Sequence, residues 1–297
     1  MKRVGLVLGA GGSLGWVYHL GVLEALRWEL GAELADIDRV VGTSAGAAIA
    51  ASVLAGAGSD QVLAAVTTPP TGEEMAVMRA AMAEFRSPRR WLRTTAPSMI
   101  TRFGTDPGLG LGAIAGLMPT GVFPTASLRK FPVGHPDDPW PGNLWIPSVQ
   151  VDEGRLVVFG RDLIVPVIDA VEATAAVPLM FQPKTIAGRR YLDGAVHSAT
   201  NADLLLADGR FDLVVVASPM TRPGLSPIKT RARAQLRRET RALERTGAEV
   251  VILEPSPEVV ELAAGFPRSK RDAGPAIIAT VAAEGARVLA NRLLPVP

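Results

Sequence analysis

The 297-residue chain contains no cysteine, which excludes disulfides, thiolate nucleophiles and cysteine-ligated zinc. It also lacks an excess of either charge: 31 Lys and Arg residues stand against 29 Asp and Glu residues, for a formal net charge of +2. This near-balance argues against a nucleic-acid-binding protein. No uninterrupted apolar run of about 18 residues is present, which argues against a transmembrane helix.

Hydrophobic residues, by contrast, make up 48% of the chain, enough for a sizeable core. The basic start followed by apolar residues resembles a signal peptide in outline. Glycines at positions 9, 11 and 12 interrupt that stretch, however, so it predicts a strand and a turn instead. Together with the absence of cysteine, this favours a cytoplasmic protein.

The pattern of strands and helices predicts an α/β fold. Residues 3–8 predict a buried strand and Gly15–Leu30 a helix, and Arg39–Val41 then begins a second strand–turn–helix unit. This alternation predicts one domain over residues 1–297, a three-layer α/β/α sandwich with a mainly parallel central sheet. Further strands are predicted in LWIPSVQV and RLVVFGR and near 190–192, 211–218 and 249–253, and further helices near 167–175, 228–246 and 273–294.

Residues 59–142 differ in composition and predict a largely helical and irregular insertion over the active-site edge. Many prolines occur there, and residues 75–105 combine Met75, Met78 and Met82 with six arginines and a single acid. Two interpretations remain open, peripheral contact with an anionic lipid surface or a plain lid or cap. A second basic cluster, Lys229–Arg245, is typical of a solvated helix face. The six arginines of residues 75–105 are Arg79, Arg86, Arg89, Arg90, Arg93 and Arg102.

The segment GTSAG, residues 42–46, matches the pattern G-x-S-x-G. Gly42 and Gly46 permit a sharp strand-to-helix turn that would expose Ser44 over the sheet at a helix N-terminus. The amide of Ala45 would then face a developing negative charge. An ordinary glycine-rich turn with a capping serine gives the same pattern. The preceding Val-Val strand and the following helix favour a nucleophile.

The opening turn, LGAGGSLG, is of a kind that holds an anion. Gly9, Gly11 and Gly15 are spaced G-x-G-x-x-x-G, one residue longer than the dinucleotide-binding pattern. The next strand also runs into Ser44 instead of ending in an acid that would bind ribose. Two glycine turns in successive strand–helix units converge at one sheet edge. The amides of Gly11 and Gly12 are therefore predicted to stabilise an oxyanion beside Ser44.

A third segment, RRYLDGAVH, places Asp193 after a predicted strand, and Gly194 turns the chain away. A carboxylate there could take the proton from Ser44 directly. Alone, Asp-Gly is simply a common turn. Its occurrence with the two glycine motifs favours a catalytic base.

GAGGSLG, GTSAG and DGA, in this order, resemble the motifs of patatin-like acyl hydrolases, the phospholipase group that uses a Ser–Asp dyad. ATAAVPLMFQP, residues 173–183, is similar to the segment that precedes the aspartate in that family. The resemblance covers roughly residues 1–58 and 143–218, and the C-terminal third only loosely. It implies Ser44 as nucleophile, Asp193 as base and Gly11, Gly12 and Ser13 as oxyanion donors. The implied substrate is a lipid or other carboxylic ester, cleaved without cofactor or metal.

Two residues depart from the family pattern. Ala10 stands where three successive glycines are usual, and Leu14 stands where Arg or Lys usually precedes the last glycine of the loop. A cation there would organise the loop or attract an anionic headgroup, so the preference for substrate charge stays open. The departures also leave room for an inactive, lipid- or partner-binding member of the fold. A dinucleotide-binding oxidoreductase is the further alternative, and it would be indifferent to Ser44→Ala.

The three histidines, His19, His135 and His197, raise the alternative of a conventional triad with a histidine base. None lies in the late strand-to-helix loop where an α/β-hydrolase places its histidine. His135, near Asp137 and Asp138, lies in a proline-rich segment typical of a solvated loop rather than a metal site. A Ser–Asp dyad is therefore the favoured prediction. The sequence leaves the acyl length, the headgroup and the oligomeric state open.

Overall fold

The computed structural model describes residues 2–88, 94–95, 115, 118–222, 227–267 and 269–293. Within these ranges, eight strands form one sheet flanked by helices. In chain order, the strands are β1 (Val4–Leu8), β2 (Arg39–Gly42), β3 (Leu144–Gln150), β4 (Arg155–Phe159), β5 (Lys184–Ile186), β6 (Arg189–Asp193), β7 (Leu213–Ala217) and β8 (Glu249–Leu253). The α-helices are α1 (Gly12–Leu30), α2 (Ala45–Leu54), α3 (Ser59–Thr67), α4 (Gly72–Arg86), α5 (Val167–Thr174), α6 (Pro227–Glu244), α7 (Pro257–Leu262) and α8 (Gly274–Leu293).

The sheet has the strand order β5-β6-β3-β2-β1-β7-β8, and β4 also pairs with β3. The neighbours from β3 to β8 along this order are parallel. The pairs β3–β4, β3–β6 and β5–β6 are antiparallel. Helices cover both faces of the sheet, so the predicted three-layer α/β/α sandwich with a mainly parallel sheet is confirmed.

Alternate side chains of the parallel strands enter two apolar layers, because successive residues of a strand point to opposite faces. Leu6 and Leu8 of β1 pack with residues of α1, α2, α5 and α8 on one face. Val7 of the same strand, Val214 of β7 and Leu236 of α6 pack on the other. The central strands are therefore buried on both sides, as expected for parallel strands.

Strand β3 determines where the carboxyl ends of β2 and β6 lie. Its first residues, Leu144 and Trp145, pair with β2, whereas Ser148–Gln150 pair with β6. The other side of β3 is taken by β4 and by the following Gly160, which lies against the Leu144 carbonyl. Strands β2 and β6 therefore share one side of β3 and run toward each other. Their carboxyl ends meet near Pro147.

Helices α1 and α8 pack at short distance through glycines. A Cβ atom on Gly21 would lie 2.6 Å from the Cβ of Val281, and one on Gly285 would lie 2.9 Å from the Cβ of Ala25. By length and composition alone, Arg271–Arg292 could cross a membrane, with a mean hydropathy of 1.3. Core helices meet the same criterion, and 39% of this stretch is buried, including Val281 and Leu289 in the core that α8 shares with α1.

Most predicted elements are present, and the differences lie at helix ends and in short elements. Helix α1 begins at Gly12 rather than Gly15, because the Gly15 amide donates to the Gly11 carbonyl at 3.0 Å and closes the first turn. Strand β5 and helix α7 were not predicted. They contain three and six residues, too few for a clear apolar periodicity.

The described part of residues 59–142 contains α3, α4 and a 3-10 helix at Thr125–Lys130, with isolated bridges in place of strands. This agrees with the predicted helical and irregular character of the segment. Of the basic cluster in this segment, Arg79 and Arg86 lie on α4. Four further arginines lie outside the described residues: Arg89, Arg90, Arg93 and Arg102.

The second basic cluster lies on α6, where Arg237, Arg238 and Arg241 are exposed as expected for a solvated face. Glu239, between them in sequence, is instead buried beneath the helix, with 2% of its surface exposed. Helix α6 therefore presents a basic outer face and one acidic residue to the interior.

Candidate active site

The turn that carries Ser44 leaves no space for side chains at the neighbouring glycines, Gly42 and Gly46. Ser44 has φ 54° and ψ −118°, in the left-handed half of backbone space that is costly for a residue with a Cβ atom. A Cβ atom on Gly46 would lie 2.0 Å from the Leu8 carbonyl oxygen, and one on Gly42 would lie 2.7 Å from the Ala47 Cα. The glycines are therefore required for the strained turn that precedes α2.

Ser44 is buried, with 6% of its surface exposed, whereas the sequence predicted an exposed side chain. Its amide donates to the hydroxyl oxygen of Thr174 at 3.2 Å, and that hydroxyl donates to the Pro147 carbonyl at 2.6 Å. The end of α5 and the middle of β3 thus enclose the turn. Local sequence fixes the sharp turn, but these neighbours decide how much of it reaches solvent.

Asp193 ends β6, and its carboxylate meets the Ser44 side chain where β2 and β6 converge. The Ser44 side chain lies near enough to this carboxylate to lower its pKa, and the Ala195 amide donates to Oδ1 at 2.8 Å. Only 2% of Asp193 is exposed. Burial raises the pKa of Asp193 to about 7, because these two neighbours offset only part of the cost of charging a desolvated carboxyl.

Gly194 lets the chain turn away directly after Asp193. A Cβ atom on Gly194 would lie 2.4 Å from the Pro147 carbonyl oxygen and 3.2 Å from the Thr174 hydroxyl. A side chain there would therefore push against the same groups that hold the Ser44 amide. The glycine of the DGA triplet is needed for close approach of the two turns.

The opening glycine turn lies beside the Ser44 turn. The Thr43 amide donates to the Leu8 carbonyl at 2.9 Å, and a Cβ atom on Gly15 would lie 2.9 Å from that of Ala45. Helices α1 and α2 thus begin next to each other at the carboxyl edge of the sheet. The amides of Gly46 and Ala47 donate to the carbonyls of Thr43 and Ser44. The amides that precede them, that of Ala45 in α2 and those of the first turn of α1, therefore lie at the positive dipole ends of the two helices.

The candidate oxyanion donors occupy the start of α1. Gly11 caps the helix, while Gly12 and Ser13 form its first turn. Gly12 has φ 55°, and a Cβ atom on Gly11 would lie 2.5 Å from the Gly15 Cα. The amide of Ala45 is the first of α2. The predicted donors are thus gathered at two adjacent helix N-termini.

The two departures from the family pattern are both accommodated by packing. Ala10 is buried, and its amide donates to the Ala199 carbonyl at 2.7 Å. Gly9 makes a similar contact, donating to the Ala217 carbonyl at 2.9 Å. Leu14 packs against the apolar core. Position 14 therefore supplies an apolar side chain to the core.

Sequence reasoning missed two polar residues that join the Ser44 and Asp193 turns. Thr174 holds the Ser44 amide, as described above. The side-chain amide of Asn201 donates to the Thr43 hydroxyl at 3.1 Å and approaches the Gly194 carbonyl at 3.4 Å. Thr174 lies in the family-like segment at 173–183, and Asn201 follows the DGA triplet closely. Their polarity in apolar surroundings was the available signal.

None of the three histidines contacts the Ser44 or Asp193 side chain in the hydrogen bonds of the described residues. His19 is fully buried in α1, and its Nε2 donates to the Gly9 carbonyl at 2.7 Å. Burial lowers its pKa to about 4, which keeps the ring neutral. His197 is half-buried and its pKa is also lowered by burial. His135 is exposed, in the loop before β3.

Metal ligands do not cluster in the part of the chain that the structure describes: no group of three or more His, Asp or Glu side chains could hold an ion there. The Nδ1 atom of His135 lies 3.4 Å from the Asp137 carboxylate, at the surface. This pair is at the amino end of β3, the sheet edge opposite to Ser44.

Comparison with known proteins places these motifs in a family. A family model described as patatin-like phospholipase matches residues 6–206. No curated protein matches the chain. Among solved structures, VipD from Legionella pneumophila aligns over 98% of this chain and 67% of its own, at 15% identity and a TM-score of 0.46. The type III effector protein ExoU aligns over 99% and 54%, at 16% identity and a TM-score of 0.40.

Human GIVD cytosolic phospholipase A2 aligns over 90% of this chain and 50% of its own, at 14% identity and a TM-score of 0.38. The chain thus spans between half and two thirds of these proteins. Likeness at this level carries no argument about activity. The family model, in contrast, covers most of the chain and includes all three motifs. The chain belongs to the patatin-like phospholipase family.

Proposed function

We propose that this protein is a lipid acyl hydrolase that cleaves carboxylic esters with Ser44 as nucleophile and Asp193 as base. One observation carries the proposal: the Ser44 side chain adjoins the buried carboxylate of Asp193, whose pKa is raised to about 7. A base whose pKa lies near neutrality is deprotonated in a large fraction of the molecules at neutral pH. It also binds a proton strongly enough to remove one from a hydroxyl group. A serine hydroxyl needs such a partner to become nucleophilic.

The reaction proceeds in two displacement steps. In the first, Asp193 takes the hydroxyl proton as Ser44 Oγ attacks the ester carbonyl carbon, and the proton passes to the departing alcohol. This leaves an acyl group on Ser44 and an ionised Asp193. In the second, Asp193 takes a proton from water, whose oxygen attacks the acyl carbon. The proton returns to Ser44, and the carboxylic acid departs.

Backbone amides stabilise the negative charge that develops on the carbonyl oxygen. Gly11, Gly12 and Ser13 at the start of α1 and Ala45 at the start of α2 are the proposed donors. They are fixed before substrate arrives, so little reorganisation accompanies the reaction. The side chain of position 14 takes no part, and the departure at Leu14 leaves this hole intact.

A fluorophosphonate probe together with a series of p-nitrophenyl esters from butyrate to palmitate tests the proposal. The probe reacts with activated serines, so we expect covalent labelling of Ser44 and hydrolysis whose chain-length profile reports the acyl preference. His197→Gln should retain both signals, since no histidine contacts the dyad in the described residues. Loss of both signals in a folded His197→Gln protein would establish a triad.

Absence of labelling in the wild-type protein separates the alternatives. Retention of NAD(P) with no labelling would identify the dinucleotide-binding oxidoreductase. Vesicle binding with no labelling would identify a lipid-binding member without activity.

Helix α4 supports a second part of the proposal, peripheral contact with a lipid surface. Met75, Met78, Met82 and Phe85 recur at helical spacing on one face of α4, and each is at least 38% exposed. Arg79 and Arg86 are exposed along one border of this face. An apolar stripe with arginines along one border is suited to the interface of an anionic membrane.

Changing this face should weaken binding to phosphatidylglycerol vesicles. We expect the double variant Met78→Glu, Met82→Glu to bind at least about tenfold more weakly, because two apolar anchors become charges repelled by the lipid. Val77, 45% exposed and outside this face of α4, provides the matched control Val77→Glu. Vesicle co-sedimentation measures both. Equal binding by the two variants would show that α4 is a lid or cap without lipid contact.

A further inference from the structure

Asn201 lies in the turn that follows the Asp193 motif and is completely buried. Its φ of 53° is in the left-handed region, which asparagine tolerates better than most residues with a side chain. The Nδ2 group donates to the Ser198 carbonyl at 2.7 Å and to the Thr43 hydroxyl at 3.1 Å, and it lies 3.4 Å from the Gly194 carbonyl. One side-chain amide thus ties the residue before Ser44, through the Thr43 hydroxyl, to the chain that follows Asp193, at Gly194 and Ser198.

The chemistry of these acceptors fixes the orientation of the amide. The carbonyls of Ser198 and Gly194 can only accept, so nitrogen rather than oxygen must face them. Thr43 accepts from the same nitrogen while its hydroxyl donates toward the Thr200 carbonyl at 3.5 Å. The arrangement is directional, and no other side chain of similar size supplies it from a left-handed backbone.

The turn that holds Asn201 is itself anchored by a buried acid. Glu239 of α6 accepts from the Thr200 hydroxyl at 2.6 Å and from the Ala202 amide at 3.0 Å. The Ala199 carbonyl of the same turn accepts the Ala10 amide of the opening loop at 2.7 Å. Residues 198–202 therefore join the opening loop, the Ser44 turn and the Asp193 turn to one helix.

We propose that Asn201 is a positioning residue that fixes the separation of Ser44 and Asp193, an inference that rests on the proposed function. Thr43 directly precedes Ser44, and Gly194 directly follows Asp193, so the Asn201 amide spans the two turns behind the reacting side chains. In a dyad, no third side chain orients the base. The distance between hydroxyl and carboxylate must then be held by the backbone, and small displacements cost much of the rate.

The variant Asn201→Gly tests this, because glycine keeps the left-handed backbone and removes only the side-chain amide. We expect kcat for p-nitrophenyl ester hydrolysis to fall about 10- to 100-fold with KM within about twofold of wild type. Thr43→Val, which removes the acceptor, should lower kcat in the same direction. The fold-loss of kcat in the double variant should be smaller than the product of the two single fold-losses, because both changes remove the same interaction.

Asn143→Gly is the matched control. The Asn143 side-chain amide also donates to two carbonyls, those of Leu34 at 3.1 Å and Ile37 at 2.9 Å, but at the opposite edge of the sheet. Its loss should lower thermal stability and leave kcat unchanged. Unchanged kcat in folded Asn201→Gly and Thr43→Val would overturn the inference, as would a kcat loss in Asn143→Gly equal to that in Asn201→Gly.

A crystal structure of Asn201→Gly decides the inference without any substrate. We expect the distance between the Ser44 hydroxyl and the Asp193 carboxylate to be longer than in a crystal structure of the wild-type protein grown under the same conditions. An unchanged distance would overturn the positioning role. Should wild-type protein hydrolyse no ester, the proposed function fails, and this distance still reports whether Asn201 sets the spacing.

Discussion

Ser44→Ala should lower kcat for ester hydrolysis by at least about 10⁴-fold, since no other group supplies the nucleophile. The backbone of the turn is expected to persist, because alanine and serine meet the same strain at a φ of 54°. Single-turnover kinetics with p-nitrophenyl butyrate and labelling with a fluorophosphonate measure the loss independently. Both signals should disappear together.

Ser52→Ala is the matched control for this variant. Ser52 is a buried serine of α2, the helix that follows Ser44, and its hydroxyl donates to the Ala48 carbonyl at 2.8 Å. Its removal should leave hydrolysis and labelling within about twofold of wild type, as expected for a group remote from the reacting atoms. Ser44→Ala with wild-type activity would exclude Ser44 as the nucleophile and, with it, the acyl-enzyme mechanism.

Asp193→Asn should be nearly inactive and, at neutral to alkaline pH, more stable than wild type. We expect a loss of about 10³- to 10⁴-fold in kcat, because the amide cannot accept a proton from Ser44. The amide oxygen can still accept the Ala195 amide, and its nitrogen can donate to the Ser44 oxygen. The local hydrogen bonds therefore survive while the buried charge is removed.

The pH dependence of both properties follows from the raised pKa of Asp193, about 7 in the folded protein against 3.8 for a free aspartate. Only the carboxylate acts as base, so kcat/KM should rise with pH up to about 7 and level off above it. Between these two pKa values the unfolded chain releases a proton that the folded protein retains. The free energy of unfolding of wild type should therefore fall as pH rises through this interval.

Urea denaturation at about pH 4 and about pH 8 measures the stability effect. We expect Asp193→Asn to gain about 1–3 kcal/mol over wild type at the higher pH and little at the lower. Asp208→Asn is the contrasting control, because Asp208 pairs with Arg3 at 2.7 Å and Arg39 at 3.0 Å at the other sheet edge. It should lose stability and keep activity. A wild-type rate independent of pH between about 5 and 9 would contradict a base of this pKa.

The separate motifs of the site were predictable because each is a local requirement of the backbone. The strained Ser44 turn needs glycines at 42 and 46, where a Cβ atom would meet backbone atoms. The same holds for Gly194 after Asp193. Most strands and helices were likewise predictable from the spacing of apolar residues. Strands bury alternate residues and helices bury every third or fourth residue, so the two kinds of element differ in their apolar pattern.

Burial at the site was predicted less well, because it depends on segments distant in sequence. Ser44 was expected to be exposed, but Thr174 and Pro147 enclose its turn. The raised pKa of Asp193 has the same origin, since desolvation follows from every element that covers the carboxyl. Neither property can be read from the residues next to the motif.

The sequence by itself determined the two strand–glycine–helix units, the identity of the nucleophile-like and base-like residues, and the family resemblance. Only the tertiary structure decided that Ser44 and Asp193 meet. That contact depends on β3, which pairs with β2 along its first half and with β6 along its second. Strand neighbours are chosen by long-range packing and hydrogen bonding rather than by local preference. Only the folded chain brings the carboxyl ends of β2 and β6 together near Pro147. Only the folded chain places the Asn201 side chain between Thr43 and Gly194.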